Sequence, residues 1–516
     1  MEIQDAIAKD QELTPIQSFY KDANILITGG TGFLGCLLLE KLLRSCTDIS
    51  TIYLLVRSKK GKDLETRVDE LFEDLVFDKM KKANPKFRHK VVPIEGDCCL
   101  PQVGLKDQDV QMLIDKVNIV FHVAATVRFD EKLKNATTIN VKASLYIVEM
   151  ARKMKNLKCF MHISTAYTNC VQPLIQEKIY PPPLEYEELI KIADNVPENL
   201  LCDMTEQIIG EWPNTYAFTK AVAEDVIAKK GRGMPTAIFR PSIIISTYRE
   251  PIPAWINNIY GPTGIAAAAG TGILRTLHCD HTLNGNMIPV DMCVNSLIAV
   301  AWEVGTNYQK DKDKAIEQEV PVYHYESSTD RPITWGYFMK LNGKYGQQYP
   351  TIRAMWFYCL TLWKNVYMYQ LTKFFFHLIP ALLIDLFFLI IRRKPMMLKI
   401  YKKIHKFSAV LAYFTTRNFK FQSNRVKNML DNNMTATDKQ IFFCDLRELD
   451  WEKFFQVYLK GLRIYLLQDD LSSLDRALVM WGRFRILHWT LKTVCALLFL
   501  RILWYLVSVL CGIMFT

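Results

Sequence analysis

No two cysteines in this chain stand in the C-x-x-C spacing of a structural zinc site or a dithiol redox centre, although thirteen cysteines are present. Their spacing is irregular, with Cys98 and Cys99 adjacent, so they read as reduced thiols in a cytosol-facing protein with no metal centre. No apolar run precedes residue 23, and nothing ahead of the first strand reads as a signal segment. Internal repeats and low-complexity tracts are missing from all 516 residues, which excludes solenoids and disordered scaffolds. A recognisable nucleic-acid module is missing too, although the net charge is +11. That charge is local: residues 392–492 carry 20 Lys/Arg against 9 Asp/Glu, and the rest of the chain carries 44 of each. Apolar segments flank the basic region, so anionic lipid headgroups or a phosphate-rich substrate suit it better than nucleic acid.

What is present begins with TGGTGFLG, spanning Thr28, Gly29, Gly30, Thr31, Gly32, Phe33, Leu34 and Gly35, directly after the apolar run Ile25–Ile27. Glycines between a strand and a helix let the backbone turn sharply and approach a ligand, and the helix N-terminus offers unpaired N–H groups to a pyrophosphate. Gly30, Gly32 and Gly35 meet the dinucleotide spacing, and Gly29, Gly32 and Gly35 meet its three-residue relative. The next strand, Thr51 to Val56, lacks the Asp or Glu that would accept from an adenine ribose 2′-hydroxyl. It ends instead at Arg57, followed by Ser58, Lys59, Lys60 and Lys62, a cationic cluster suited to the 2′-phosphate of NADPH.

Tyr216 and Lys220 stand four apart in NTYAFTKAVAE and project from one helical face. An ammonium near a phenol favours phenolate, so the pair predicts a tyrosine with a lowered pKa that gives or takes a proton at a carbonyl oxygen. Upstream, HISTAY ends a strand with two hydroxyls, Ser164 and Thr165, able to hydrogen-bond the same oxygen. His122 and His162 lie within buried-strand patterns and read as structural.

The expected fold class is α/β, a Rossmann-type doubly wound parallel sheet with a helical, membrane-associated C-terminal domain. Strands are expected near 24–28, 51–56, 90–94, 118–123, 158–163 and 235–240, with a crossover helix over Asn140–Met154. The domains read as a polar lead-in (1–22), an NADPH-binding reductase domain (23–350), an aromatic linker with an apolar segment (351–395), a basic helical domain (396–490) and a transmembrane anchor (494–515). Residues 172–213 read as an insertion over the sheet's carboxyl edge. GPTGIAAAAGTG, Gly261–Gly272, reads as a flexible substrate-side loop or as tight packing. The tail's 22 residues would span roughly 33 Å as a helix, with Arg501 their single charge. The run Phe374–Ile391 holds His377, Pro380 and Asp385. A crossing there would separate the basic region from the dinucleotide domain, so a re-entrant or surface-embedded hairpin, or a buried helix, is expected instead.

TGGTGFLG, HVAATVRF (His122–Phe129), HISTAY and NTYAFTK together resemble the extended short-chain dehydrogenase/reductases. With the DLRELDWEKFF segment (Asp445–Phe455), the chain is similar to the alcohol-forming fatty acyl-CoA reductases and the plant male-sterility proteins. The resemblance implies reduction of a long-chain acyl-CoA to a primary alcohol with two NADPH and release of CoA, through a bound aldehyde. It implies Tyr216 as proton donor, Lys220 on the nicotinamide ribose, and Thr165 on the substrate carbonyl with Ser164 in reserve. It further implies Gly29, Gly32 and Gly35 at the pyrophosphate, Arg57 at the 2′-phosphate, Asp97 at the adenine edge, and Ala124 with Ala125 beside the nicotinamide ribose. The partners implied are long-chain acyl-CoA and the lipids of the endoplasmic reticulum or peroxisome. A steroid or sterol dehydrogenase would share the Tyr/Lys pair and an anchor but not the C-terminal domain. A non-catalytic NADP-binding scaffold would have no use for Thr165, Tyr216 and Lys220 together.

Overall fold

The computed structural model describes residues 12–58, 61–312 and 318–514. It resolves into two compact units that interleave along the chain, so no single boundary near residue 350 divides them. The first takes the chain up to Ile256 together with Leu283–Thr334 and Arg417–Asp450; the second takes Asn257–Thr282, Trp335–Thr416 and the chain from Trp451 onward.

The first unit is built on a seven-stranded parallel sheet. Its strands are β1 (Asn24–Thr28), β2 (Thr51–Val56), β3 (Val91–Glu95), β4 (Ile119–His122), β5 (Cys159–Ile163), β6 (Thr236–Pro241) and β10 (Val322–Tyr325). They lie in the order β10-β6-β5-β4-β1-β2-β3. The strand order reverses between β1 and β4, which pair in parallel: β2 and β3 lie to one side of β1, and β4 and the later strands to the other, the switch point at whose carboxyl end ligands bind in such sheets. Parallel strands are covered on both faces, which is why they read as continuous apolar runs. On one face Leu26, Val120, Phe160 and Ile238 pack with Ile147, Val148, Val222 and Val226 of the crossover helices, all at most 1% exposed. Each such aliphatic side chain contributes about 1.5–3 kcal/mol on burial. Among the described residues two short parallel pairs complete the strands: β7 (Ile243–Ile245) with β9 (Met287–Pro289) in the first unit, and β8 (Thr276–His278) with β11 (Thr361–Trp363) in the second.

The lead-in is not wholly polar. Thr14 caps the helix Pro15–Tyr20 in a reciprocal arrangement with Gln17, Ile16 and Tyr20 are fully buried, and the Tyr20 hydroxyl donates to Ile298 O at 2.9 Å. Residues 1–11 lie outside the described residues. The insertion after residue 172 folds as three short helices, Tyr186–Asn195, Glu198–Asp203 and Thr205–Ile209. Ile175 bridges in parallel to Phe421, one of several contacts that hold Arg417–Asp450 in the first unit; the Tyr325 hydroxyl donates to Cys444 O at 2.8 Å and Asn295 Nδ2 to Phe443 O at 3.0 Å.

In the second unit, Gly261–Gly270 is a helix rather than a loop. Pro262 stands in its first turn, four alanines favour helix, and Gly272 leaves it at φ +73°. Two helices of the described residues are long and apolar enough to cross a membrane, Val366–Ile390 and the exposed helix within Leu471–Val509. The latter belongs to one continuous helix, Leu474–Met514, so the expected anchor has no break at residue 494; Phe515 lies outside the described residues. Phe374–Ile391 is largely exposed, which rules out the buried-helix alternative for that run.

Candidate active site

The glycine turn follows β1 and meets the chain leaving β4. Thr28 is in register with His122, and Gly29 adopts φ +74°. A Cβ on Gly29 would stand 2.7 Å from Ala124 N and 2.8 Å from Ala124 Cα, so only glycine fits there. A Cβ on Gly35 would likewise stand 2.7 Å from Gly30 Cα and collide with Gly29 O, so the first helical turn lies directly on the loop. Gly32 caps the helix Phe33–Ser45 without a side chain, leaving the N–H groups of its first turn open beside exposed Thr31. Phe33 and Leu34 are half-buried, and Phe33 stacks on buried Trp255 at 5.6 Å. A close backbone turn and an uncapped helix N-terminus together fit a pyrophosphate.

Thr28, buried, ties this turn to the core. Its hydroxyl accepts from Ala124 N–H at 3.2 Å and donates to His122 Nδ1 at 2.8 Å; His122 Nε2 then donates to Ser144 Oγ at 3.0 Å, which donates to Asn140 O at 2.7 Å. Burial, with Lys220 adding to it, pulls His122 down to about 3, so it is a neutral strut. Asn140 sits in a π-helical turn and braces the loop after β4. Its Oδ1 accepts from Thr126 N–H at 2.9 Å, and its Nδ2 donates to Thr126 O at 3.3 Å and Thr219 Oγ1 at 3.0 Å. His162 is fully buried, with no hydrogen bond to either ring nitrogen among the described residues.

At the other end of the cofactor path, Val56 is in register with Glu95, which sets Arg57 beside Gly96 and Asp97. Arg57 is exposed and takes part in no ion pair among the described residues. Asp97 spends its Oδ1 on its own turn, accepting from Cys99 N–H at 2.9 Å. Lys62 pairs with Glu70, and Lys59 and Lys60 lie outside the described residues. Ala124 and Ala125 are half-buried at the carboxyl end of β4.

Tyr216 and Lys220 lie on the helix Thr215–Lys230, capped by the Asn214 side chain on Ala217 N–H at 2.8 Å. Lys220 is 2% exposed and its Nζ donates to Ile163 O at 2.7 Å, at the end of β5. Burial draws its pKa down to about 8, against the pull of Glu224. Tyr216, half-buried and stacked with Phe129 at 5.8 Å, differs from the expectation of a lowered pKa. Burial pushes it up to about 12, and a hydrogen bond with the Thr165 hydroxyl only partly opposes this. The reason is physical: Lys220 is turned onto a backbone carbonyl, so desolvation of the phenol outweighs any help from the ammonium.

Ser164 and Thr165 part company. Ser164 Oγ donates to Glu224 Oε1 at 2.5 Å, and Glu224 is held by fully buried Arg240 through Nε at 2.8 Å and NH2 at 2.6 Å. Thr165 Oγ1 accepts only a long bond from Tyr167 N–H at 3.3 Å and faces Tyr216. Glu224, Arg240 and Asn140 were not singled out from sequence. An arginine inside the apolar strand Thr236–Pro241 was the available signal, since a cation there requires a buried partner.

An uncapped glycine-cradled helix at β1 and a Tyr/Lys pair with a hydroxyl at β5 define a Rossmann-type, NAD(P)-binding oxidoreductase. Residues 27–297 match the NAD-binding part of the male sterility protein family, and residues 376–469 match its Sterile part. The fatty acyl-CoA reductase wat of Drosophila melanogaster is 41% identical over 484 residues, covering 94% of this chain and 92% of that protein. Fatty acyl-CoA reductase 1 of Rattus norvegicus is 36% identical over 509 residues, 97% of each. The chain belongs to the fatty acyl-CoA reductase family. Its fold is shared with the terminal reductase domain of the myxalamid pathway (TM-score 0.55, 18% identity, 86% of this chain and 91% of that). It is shared too with a nonribosomal peptide synthetase reductase domain from Mycobacterium tuberculosis (TM-score 0.56, 15% identity, 88% and 96%).

Proposed function

We propose that the protein reduces long-chain fatty acyl-CoA to the primary fatty alcohol, consuming two NADPH and releasing CoA through a bound aldehyde. The observation that carries this reading is the pairing of Tyr216 with Thr165 beside buried Lys220, at the carboxyl end of β5. When bound, NADPH supplies hydride to the acyl carbon. The Tyr216 and Thr165 hydroxyls donate to the thioester oxygen and stabilise the oxyanion that develops there. The resulting hemithioacetal expels CoA as its thiol and leaves the aldehyde. In the second reduction the same hydroxyls polarise the aldehyde, and Tyr216 gives its proton to the alkoxide. A tyrosine whose pKa is pushed up to about 12 is a proton donor in its resting state, which suits both steps.

Lys220 anchors the nicotinamide ribose while its ammonium stays fixed on Ile163 O. Ser164, whose proton is committed to Glu224, supports the wall rather than the substrate. Arg57, exposed and without an ion pair among the described residues, is the contact for the 2′-phosphate, which makes NADPH the favoured cofactor. The exposed end of the helix Leu474–Met514 anchors the protein in the endoplasmic reticulum or peroxisome membrane, with the dinucleotide unit on the cytosolic side. Incubating membranes that carry the protein with NADPH and long-chain acyl-CoAs tests the reading. Fatty alcohol should form in place of acyl-CoA; free fatty acid or unchanged thioester would contradict it.

A further inference from the structure

The stretch Val366–Thr415 leaves and re-enters its unit at one strand. On the way out, β11 pairs with β8, Lys364 O accepts from His278 Nε2 at 3.1 Å, and Thr372 Oγ1 lies 2.8 Å from Thr276 Oγ1. On the way back, Thr415 O accepts from Asp280 N–H and Thr415 Oγ1 donates to His278 O, both at 2.9 Å. Between these ends an unbroken helix runs to Ile390, a turn carries Arg392, Arg393, Lys394 and Pro395, and the helix Met397–Thr415 returns.

Asp385 closes the turn. Its carboxylate accepts from the N–H groups of Met396 and Met397 at 2.8 Å and of Leu398 at 2.9 Å, so it caps the returning helix from the outgoing one. This is the only acidic residue in 366–415, against eight Lys/Arg. His377, Ala381 and Asp385, four apart, form the inward row of the outgoing helix. The opposite face is apolar and open: Phe375, Leu382, Leu383, Leu386, Phe387 and Ile390 are each more than half exposed. Lys399, Lys402, Lys403 and Lys406 are exposed along the returning helix.

A vertical crossing would carry the three-cation turn roughly 27 Å beyond β8, the 18 helical rises from Thr372 to Ile390, and would drag four lysines back through hydrocarbon. An apolar face bordered by eight cations and one satisfied carboxylate fits a different solvent geometry, the boundary between acyl chains and headgroups.

We propose that Val366–Thr415 is a monotopic hairpin lying along one leaflet, its outgoing apolar face among the acyl chains and its basic turn and returning helix on anionic headgroups, with both ends on the same side of the bilayer. The assignment is independent of the reaction described above.

The test uses the full chain in sealed vesicles, with exposed Cys99, Cys202 and Cys495, and also Cys511, replaced by Ser. A fluorophore on Leu386→Cys should shift to the blue and be quenched more by lipid carrying a nitroxide near the headgroup than by lipid carrying it at the chain end. Phosphatidylserine added to phosphatidylcholine should deepen that quenching, and the quadruple change R392Q/R393Q/K399Q/K403Q should abolish the difference between the two lipid mixtures. Arg393→Cys should react with a membrane-impermeant maleimide to the same fraction as Lys364→Cys in the same vesicles. Reaction of Arg393→Cys only after detergent, where Lys364→Cys reacts without it, would mean a span and overturn the proposal. An unquenched Leu386→Cys label would place that face against protein or water and overturn it too, as would a phosphatidylserine effect that survives the quadruple change.

Discussion

Glu224→Gln keeps the size of the side chain and removes a single negative charge, which in this structure serves three groups at once. Arg240 is fully buried and bonded to both Glu224 oxygens. Removing one partner of a buried pair costs about 3–5 kcal/mol, because the remaining charge is stranded. Arg240 also donates to Gln176 O at 3.1 Å and Lys178 O at 3.0 Å, so the loss here should fall near the lower end, about 3 kcal/mol, read as a lowered melting temperature. The catalytic effect has its own signature. Burial draws Lys220 down to about 8 while Glu224 holds it up, so the neutral variant lets it fall further. A lysine required as the ammonium supports turnover below its pKa and ceases to as pH rises through it. The alkaline limb of kcat/KM should therefore move from near 8 towards neutrality, with more activity retained in mild acid than in mild base. The profile is measured at a temperature where the variant remains folded by circular dichroism. An alkaline limb that stays in place, or moves upward, would refute the link between Glu224 and Lys220.

Tyr216→Phe should lower turnover by about 100-fold or more while leaving NADPH binding by fluorescence near wild type; near-normal turnover would remove Tyr216 as the acid. Thr165→Ala should lower kcat by about 10²-fold, whereas Ser164→Ala should act chiefly on stability, by about 1 kcal/mol for the bond to Glu224; the reverse order would exchange their roles. Arg57→Asp should cost about 2–4 kcal/mol of NADPH preference over NADH, and an unchanged ratio of kcat/KM values would move the phosphate contact elsewhere.

Six of the seven strands of the main sheet were legible because each carries a short run of apolar residues between turn signals, as in Thr51–Val56. The seventh, Val322–Tyr325, escaped because its sequence VYHY holds a single aliphatic residue, where Ile119–His122 holds three consecutive apolar ones; its place is decided by pairing with β6. The glycine turn was legible for a similar reason, since the demand for glycine at Gly29 is local even though the atom it must clear, Ala124 N, is 95 residues away. The Tyr/Lys spacing was legible, but not the balance of forces on it. Four-residue spacing puts both side chains on one face and says nothing of the carbonyl that takes the ammonium or of the desolvation that raises Tyr216. The choice between Ser164 and Thr165 depended on Glu224, itself set by Arg240, a chain of long-range contacts that no spacing announces. The partition of the C-terminal half failed to show because Arg417–Asp450 joins the first unit through contacts distant in sequence, among them the bridge from Ile175 to Phe421 and the bond from the Tyr325 hydroxyl to Cys444 O.

The most direct measurement is the simultaneous count, in one reaction with a long-chain acyl-CoA, of NADPH oxidised, CoA thiol released and lipid formed. Two NADPH oxidised for each CoA, with fatty alcohol as the lipid and little free aldehyde at any time, is the outcome expected of one Tyr216/Thr165 site serving both reductions. One NADPH for each CoA, with aldehyde accumulating as the end product, would contradict it.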